Sequence, residues 1–146
     1  MDHGKTNITK DQIRSLLRYA ILAPSSHNTQ PWRFEITEGA VFLFADRTRA
    51  LPANDPDDRE LTISCGCALM NLRVAAAREG FEVFVDLSPA QDDGDRLAVV
   101  FFQSGGASQP DGAESLSKTG LFLSIETRRT YRKRFAPREV PGVTLD

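Results

Sequence analysis

Between Ala23 and Phe34 the chain reads Ala-Pro-Ser-Ser-His-Asn-Thr-Gln-Pro-Trp-Arg-Phe. Every side chain from Ser25 to Gln30 carries a hydroxyl, imidazole or amide group, and Pro24 and Pro31 bound the run. Asn28 and Gln30 each offer donors and an acceptor, the groups needed to read the polar edge of a heterocycle. Ser25 or Ser26 beside His27 raises nucleophilic catalysis, but neighbours in sequence do not make a triad and no nucleophile elbow is present. His27 could donate a proton, although a solvent-facing cap is the plainer role for it. Composition and spacing alone show a polar loop pinned at both ends, and a capped helix end with a rigid turn explains that much.

Two other groups of residues could do chemistry. Cys65 and Cys67 stand two apart, so on a helix their side chains point to different faces. They do not suit a disulfide, and His3 and His27 add no recognised metal-ligand spacing. No metal is expected, and both cysteines read as core. The second group is basic: Arg128-Arg129-Thr130-Tyr131-Arg132-Lys133-Arg134-Phe135, with Arg138 beyond it. Arginines interleaved with aromatics can bind nucleic acid. Against that, 18 Lys+Arg face 20 Asp+Glu, so the chain has no global basic field. A solvated terminus is the bland alternative.

The elements that must position these residues follow from the apolar pattern. Thr9-Lys10-Asp11-Gln12 has the form of a capping box. Ile13, Leu16, Leu17, Ala20 and Ile21 then recur at helical spacing until Pro24 forbids more helix, which predicts a helix over roughly residues 10–22. Trp32, Phe34 and Ile36 alternate with polar residues, Glu38-Gly39 turns the chain, and residues 41–45 return, giving a β-hairpin with Trp32 as a core anchor. Residues 46–58 read as a loop in which Arg47, Arg49 and Arg59 pair with Asp46, Asp55, Asp57 and Asp58.

Asp57 or Asp58 is expected to cap a long helix with Leu61, Cys65, Ala68, Leu69, Leu72 and Ala76 on its core stripe. Ile63, Met70 and Val74 lie on other sides, which suggests burial nearly all round. Gly66 inside that helix costs about 1 kcal/mol against Ala, so a close backbone or ligand is expected there. Gly80 stops the helix. Residues 81–87 alternate as a strand, and Leu97–Phe102 is a continuous apolar run suited to a central strand. Residues 104–117 read as a linker, and a short amphipathic segment follows around Leu121, Phe122 and Ile125. This order predicts an α+β domain with a mostly antiparallel sheet packed with helices.

The whole-chain numbers agree. A length of 146 residues fits one domain, and 40% apolar with 26% charged residues is ordinary globular usage. Disordered, collagenous and coiled-coil classes are excluded by composition. No run approaches the ~20 apolar residues of a membrane span, and the first residues lack the apolar stretch of a signal peptide. A cytoplasmic protein that binds neither membrane nor nucleic acid is the expectation.

In detailed order, the Pro24-Ser25-Ser26-His27-Asn28-Thr29-Gln30-Pro31-Trp32 segment resembles the nitroreductase family of FMN-dependent enzymes, in which a helix ends in Pro-Ser-Ser-x-Asn-x-Gln-Pro-Trp. Ile63 to Leu72 looks like the family's Gly-x-Ala-x-x-Asn-Leu helix. The Asp46-Arg47-Thr48-Arg49-Ala50-Leu51-Pro52 segment and the Asp55–Leu61 segment are similar to the N-terminal half of the Acg-like branch, where two nitroreductase-like halves are fused. The resemblance implies FMN held at a subunit or pseudo-subunit interface, with Pro24, Ser25, Ser26, Asn28 and Gln30 approaching its ring. It implies NADH or NADPH as hydride donor and a nitroaromatic or quinone-like acceptor. It names no catalytic side chain.

The chain also departs from the family. The arginines that open a nitroreductase unit and bind the flavin phosphate are missing near the start, where only Lys5 is basic before Thr9. They recur as Arg128, Arg129, Thr130 and Arg132, where the fused branch begins its second half. The expectation is therefore a half unit: a nitroreductase-like core over 1–103, a linker over 104–117, and over 118–146 a helix and basic tail resembling the opening of the next half. The tail can serve in cis by folding back or in trans from a second copy, and trans, in a homodimer, is the preferred expectation because one side of the long helix is left uncovered. Otherwise a C-terminal half is missing. The alternatives to an oxidoreductase are a protein that binds or sequesters FMN without turnover, and an association module without flavin.

Overall fold

The computed structural model describes residues 8–87, 94–104 and 120–134. Helix α1 spans Lys10–Ala20, and its capping box is formed. The Gln12 amide donates to Thr9 Oγ1 at 3.2 Å and the Thr9 amide to Gln12 Oε1 at 2.8 Å. The helix stops two residues short of the expected end. Leu22 and Ala23 donate to Tyr19 and Ala20, three residues back rather than four, so the last turn tightens before Pro24.

Strands β1 (Trp32–Ile36) and β2 (Ala40–Ala45) form the predicted hairpin, turning through Gly39 at φ 75°. Helix α2 runs over Arg59–Arg78, followed by β3 (Phe81–Asp86) and β4 (Arg96–Ser104). The sheet order is β1-β2-β4-β3 and every pairing is antiparallel. The apolar run at 97–102 lies inside β4, which is central as expected.

Helix α2 covers this sheet beside α1. Its Leu72, Ala75 and Ala76 meet Ile13, Leu16, Val41, Val100 and Phe102 in one core. Further toward its start, Leu61, Cys65 and Ala68 meet Trp32, Leu43 and Ala98 in a second. Trp32 is thus the hairpin anchor. A short helix α3 (Leu121–Thr127) returns to this pair of helices. Its Phe122 ring lies 4.8 Å from that of Tyr19 on α1, the Arg78 guanidinium stands over Phe122 at 5.9 Å, and Ile125 is buried.

Three expectations about α2 need correction. Its capping carboxylate is neither Asp57 nor Asp58. Asp58 sits at the cap in a left-handed conformation without a side-chain cap bond. Turns through Leu51–Asp58 fold the chain back and deliver buried Asp55 instead, which accepts from the Leu61 amide at 2.9 Å. Nor is the helix buried all round: Ile63 is 50% exposed and Met70 39%. With Gly66 and Cys67 they make one stripe at i, i+3, i+4 and i+7. Finally, nothing among the described residues lies within 4 Å of where a Gly66 Cβ would stand. The close approach expected there is not made among the described residues.

Of the linker expected over 104–117, Ser104 instead ends β4 and the rest, with Lys5, Phe135 and Arg138, lies outside the described residues. Among the described residues no helix is long and apolar enough to cross a membrane, and no cluster of three metal-ligating side chains occurs.

Candidate functional site

The loop between α1 and β1 is the most contorted backbone in the described chain. His27, Asn28 and Gln30 have φ of 50°, 59° and 52°. Such left-handed residues cost on the order of 1 kcal/mol each, least for Asn. The surroundings hold this shape from several sides. Ser25 Oγ accepts from the Gln30 amide at 2.9 Å across the loop, and the Asn28 and Thr29 amides donate to the Ser25 and Ser26 carbonyls. Arg49 donates to the Thr29 carbonyl at 3.1 Å. The Cys65 thiol donates to the Pro31 carbonyl at 3.2 Å, and the Ser26 hydroxyl donates to Glu60 Oε2 at 2.5 Å.

This loop forms one wall of a cleft of about 390 Å³. Pro24, Ser25, Ser26 and His27 contribute that wall; Glu60, Ile63, Ser64 and Cys67 of α2 form the floor; Thr130 and Arg132 close the far side. The volume lies within the range of about 300–1,000 Å³ usual for small-molecule sites. Arg132 has no carboxylate partner among the described residues.

The basic tail reaches this cleft in cis. Docking of α3 through Phe122 and Ile125 brings Arg128 to α1, where it donates to the Leu22 carbonyl at 3.4 Å. Arg128 also donates to Thr130 Oγ1 at 3.2 Å. The preferred expectation was trans delivery from a second copy; within the single chain, the Tyr19–Phe122 contact lies upstream of the arginines and folds them back to the cleft. Pro24, Ser25, Ser26, Thr130 and Arg132, all singled out in the sequence, are therefore brought together. Asn28, Gln30, Arg128 and Arg129 do not line the cleft. Asn28 is exposed, Gln30 donates to Ser25 Oγ through its backbone amide, and Arg129 donates to the Glu126 and Arg128 carbonyls. Glu60, Ile63, Ser64 and Cys67 were not singled out as site residues. Their signal was their position on the first turns of α2, where the sequence reading took Ile63 and Cys67 as buried and gave Glu60 and Ser64 no role.

Electrostatics separates the two cysteines. Burial pushes the Cys65 thiol up to about 12, so it carries no nucleophilic thiolate at neutral pH. Cys67 is half-buried and borders the cleft. Burial pushes the Asp55 carboxyl up, but the amides of Leu61, Glu60 and Arg59 and the Arg59 charge outweigh it and hold the group below its ordinary value. Asp46 is held low chiefly by the Thr48 hydroxyl at 2.6 Å, helped by the Thr48 amide and by Arg49 and Arg33. Around the loop at 46–58, Arg47 pairs with Asp58 and Asp95, and Arg49 with Asp46.

Comparison with known proteins matches this geometry. The nitroreductase family profile matches residues 4–41, which include the left-handed loop. A Mycobacterium tuberculosis protein named as a candidate NAD(P)H nitroreductase is 37% identical over 132 residues, covering 90% of this chain and 36% of its own length. The M. tuberculosis protein named as candidate NAD(P)H nitroreductase Acg is 40% identical over 97 residues, 66% of this chain and 29% of that protein. The chain thus spans about a third of the length of these curated relatives. Among solved structures, a nitroreductase family protein of Streptococcus pneumoniae superposes with a TM-score of 0.62 at 17% identity, over 75% of this chain and 86% of that one. A candidate nitroreductase of Desulfovibrio desulfuricans in complex with FMN superposes with a TM-score of 0.56 at 16% identity, over 77% and 86%. An antiparallel α+β core, a proline-bounded loop turned onto a long helix, and these matches agree: the chain has a nitroreductase-like fold, and its residues 4–41 are similar to the nitroreductase family.

Proposed function

We propose that this chain forms the loop-bearing part of an FMN-dependent NAD(P)H oxidoreductase acting on small nitroaromatic or quinone-like acceptors. One observation carries the reading: the Pro24–His27 loop and the Thr130/Arg132 tail, a hundred residues apart in sequence, converge on a single cleft. The residues present suit the group. Arg132 supplies a guanidinium with no carboxylate partner among the described residues and Thr130 a hydroxyl, a donor pair fit for a phosphate dianion. Ile63, Pro24 and the Cys67 side chain give apolar surface for a flat ring, and the polar loop gives its edge hydrogen-bonding partners.

When bound, FMN supplies hydride and electron transfer between a nicotinamide and the acceptor. The chain's own part is to bind and orient. Arg132 and Thr130 hold the phosphate, the Ser25–Ser26 segment borders the ring, and α2 supplies the floor. Asn28, Gln30, Arg128 and Arg129 act at one remove in this reading, by shaping the loop and the tail. The exposed stripe of Ile63, Cys67 and Met70 is where a second copy or a following half covers the site.

The test is spectroscopic. The purified chain, mixed with FMN and freed of excess, is expected to be yellow and to bleach with NADH or NADPH under nitrogen. A yellow protein inert to both nicotinamides would point to holding without turnover. A protein that stays colourless would overturn the flavin reading.

A further inference from the structure

We propose that Glu60, on the first turn of α2, is a positioning residue for the cleft: its carboxylate locks the left-handed loop and fixes the polarity of the Ser26 hydroxyl. The inference rests on the flavin reading for its ligand but not for its geometry. Ser26 Oγ donates to Glu60 Oε2 at 2.5 Å, and both side chains line the cleft. Ser26 opens the strained run, since its carbonyl accepts from the Thr29 amide that follows His27 and Asn28. Glu60 is itself held. Its carbonyl accepts from Ser64 Oγ at 2.7 Å, and its amide lies under the buried Asp55 carboxylate that caps the helix. The chain of contacts therefore runs from a rigid helix start through one carboxylate to the loop.

The consequence for recognition is chemical. A serine hydroxyl has one proton, and Glu60 takes it. What remains toward the cleft is an acceptor oxygen beside a carboxylate. A ligand atom that meets Ser26 must then be a donor, such as a ring N–H, and a phosphate is turned away toward Arg132. Glu60 thus sets which way round a phosphorylated heterocycle lies.

Four variants test this: Glu60→Ala, Glu60→Gln, Ser26→Ala and the double Glu60→Ala/Ser26→Ala. Without ligand, amide exchange at Asn28 and Thr29 is expected to quicken about tenfold or more in Glu60→Ala while β4 amides stay unchanged. Glutamine keeps an acceptor oxygen and is expected to restore most of the protection. With ligand, Glu60→Ala is expected to weaken FMN and riboflavin by the same factor, about tenfold, and the double variant to lose no more than either single one. Unchanged loop exchange in Glu60→Ala would overturn the positioning role. Weakening of FMN alone would overturn the orientation. Should the unaltered chain bind no flavin, the functional reading falls, and the exchange measurement still decides the role of Glu60.

Discussion

Replacing Gly66 by Ala should stabilise this chain. Glycine inside a helix is about 1 kcal/mol worse than alanine, because it loses more backbone freedom on folding. Gly66 lies within α2 (Arg59–Arg78), on its exposed side, and a Cβ built there meets nothing within 4 Å among the described residues. No steric cost offsets the propensity gain. With an unfolding entropy of roughly 2.1 cal/mol/K per residue, a chain of 146 residues has about 0.3 kcal/mol/K, so the gain corresponds to a rise of about 3 °C in Tm. Differential scanning calorimetry of the two proteins at matched low concentration reads this directly. A lowered Tm in the variant would refute the reasoning, since it would mean that another surface packs where the methyl group goes. The same outcome would locate that surface on the Ile63, Cys67 and Met70 stripe, and its concentration dependence would tell a second copy from an intramolecular cover.

Three further outcomes are expected. Arg132→Ala should weaken FMN by tenfold or more while leaving riboflavin, which lacks the phosphate, nearly unchanged in equilibrium titrations; equal loss for both would remove Arg132 from the phosphate. Because the folded Asp55 carboxyl is held below its ordinary 3.8, its contribution is complete above that value and lost as pH falls through the folded value. The stability gap between the unaltered chain and Asp55→Asn should therefore be constant above about pH 5 and close in acid, and a gap independent of pH down to complete acid unfolding would count against the cap. Finally, Cys67 should react with a disulfide reagent in the native protein while Cys65, fully buried with its thiol pushed up to about 12, reacts only after denaturation; two fast thiols would contradict the packing of α2 on Trp32.

What could be read from the sequence depended on how local its cause was. The capping box of Thr9 and Gln12 and the β1–β2 hairpin are set by residues within a few positions of one another, and both formed as written. The cap of α2 was misplaced for a related reason. An Asp beside a helix start is the usual cap, whereas Asp55 acts from six residues before Leu61 because the chain doubles back through two turns. The family's loop was visible as a string of residue types, but its shape was not. Asn visits the left-handed region readily; His27 and Gln30 do so only because Ser25, Ser26, Arg49 and Cys65 hold the segment from outside.

Half of the candidate site was hidden for the same physical reason. Glu60, Ile63 and Cys67 lie inside segments that resemble the family, but Ile63 and Cys67 read as core and Glu60 was given no role of its own. They become a cleft floor only because the loop folds over the start of α2 while the rest of that face is left open. The route of the tail was equally illegible. A basic run near a chain end gives no sense of direction, and the contact that directs it, Phe122 on Tyr19, joins residues more than a hundred positions apart. Two rings and one buried isoleucine thus decide which cleft the arginines serve. The surface left open beside that cleft, among the described residues, is the helix stripe with Gly66 at its centre, next to an Arg132 that has no carboxylate partner there.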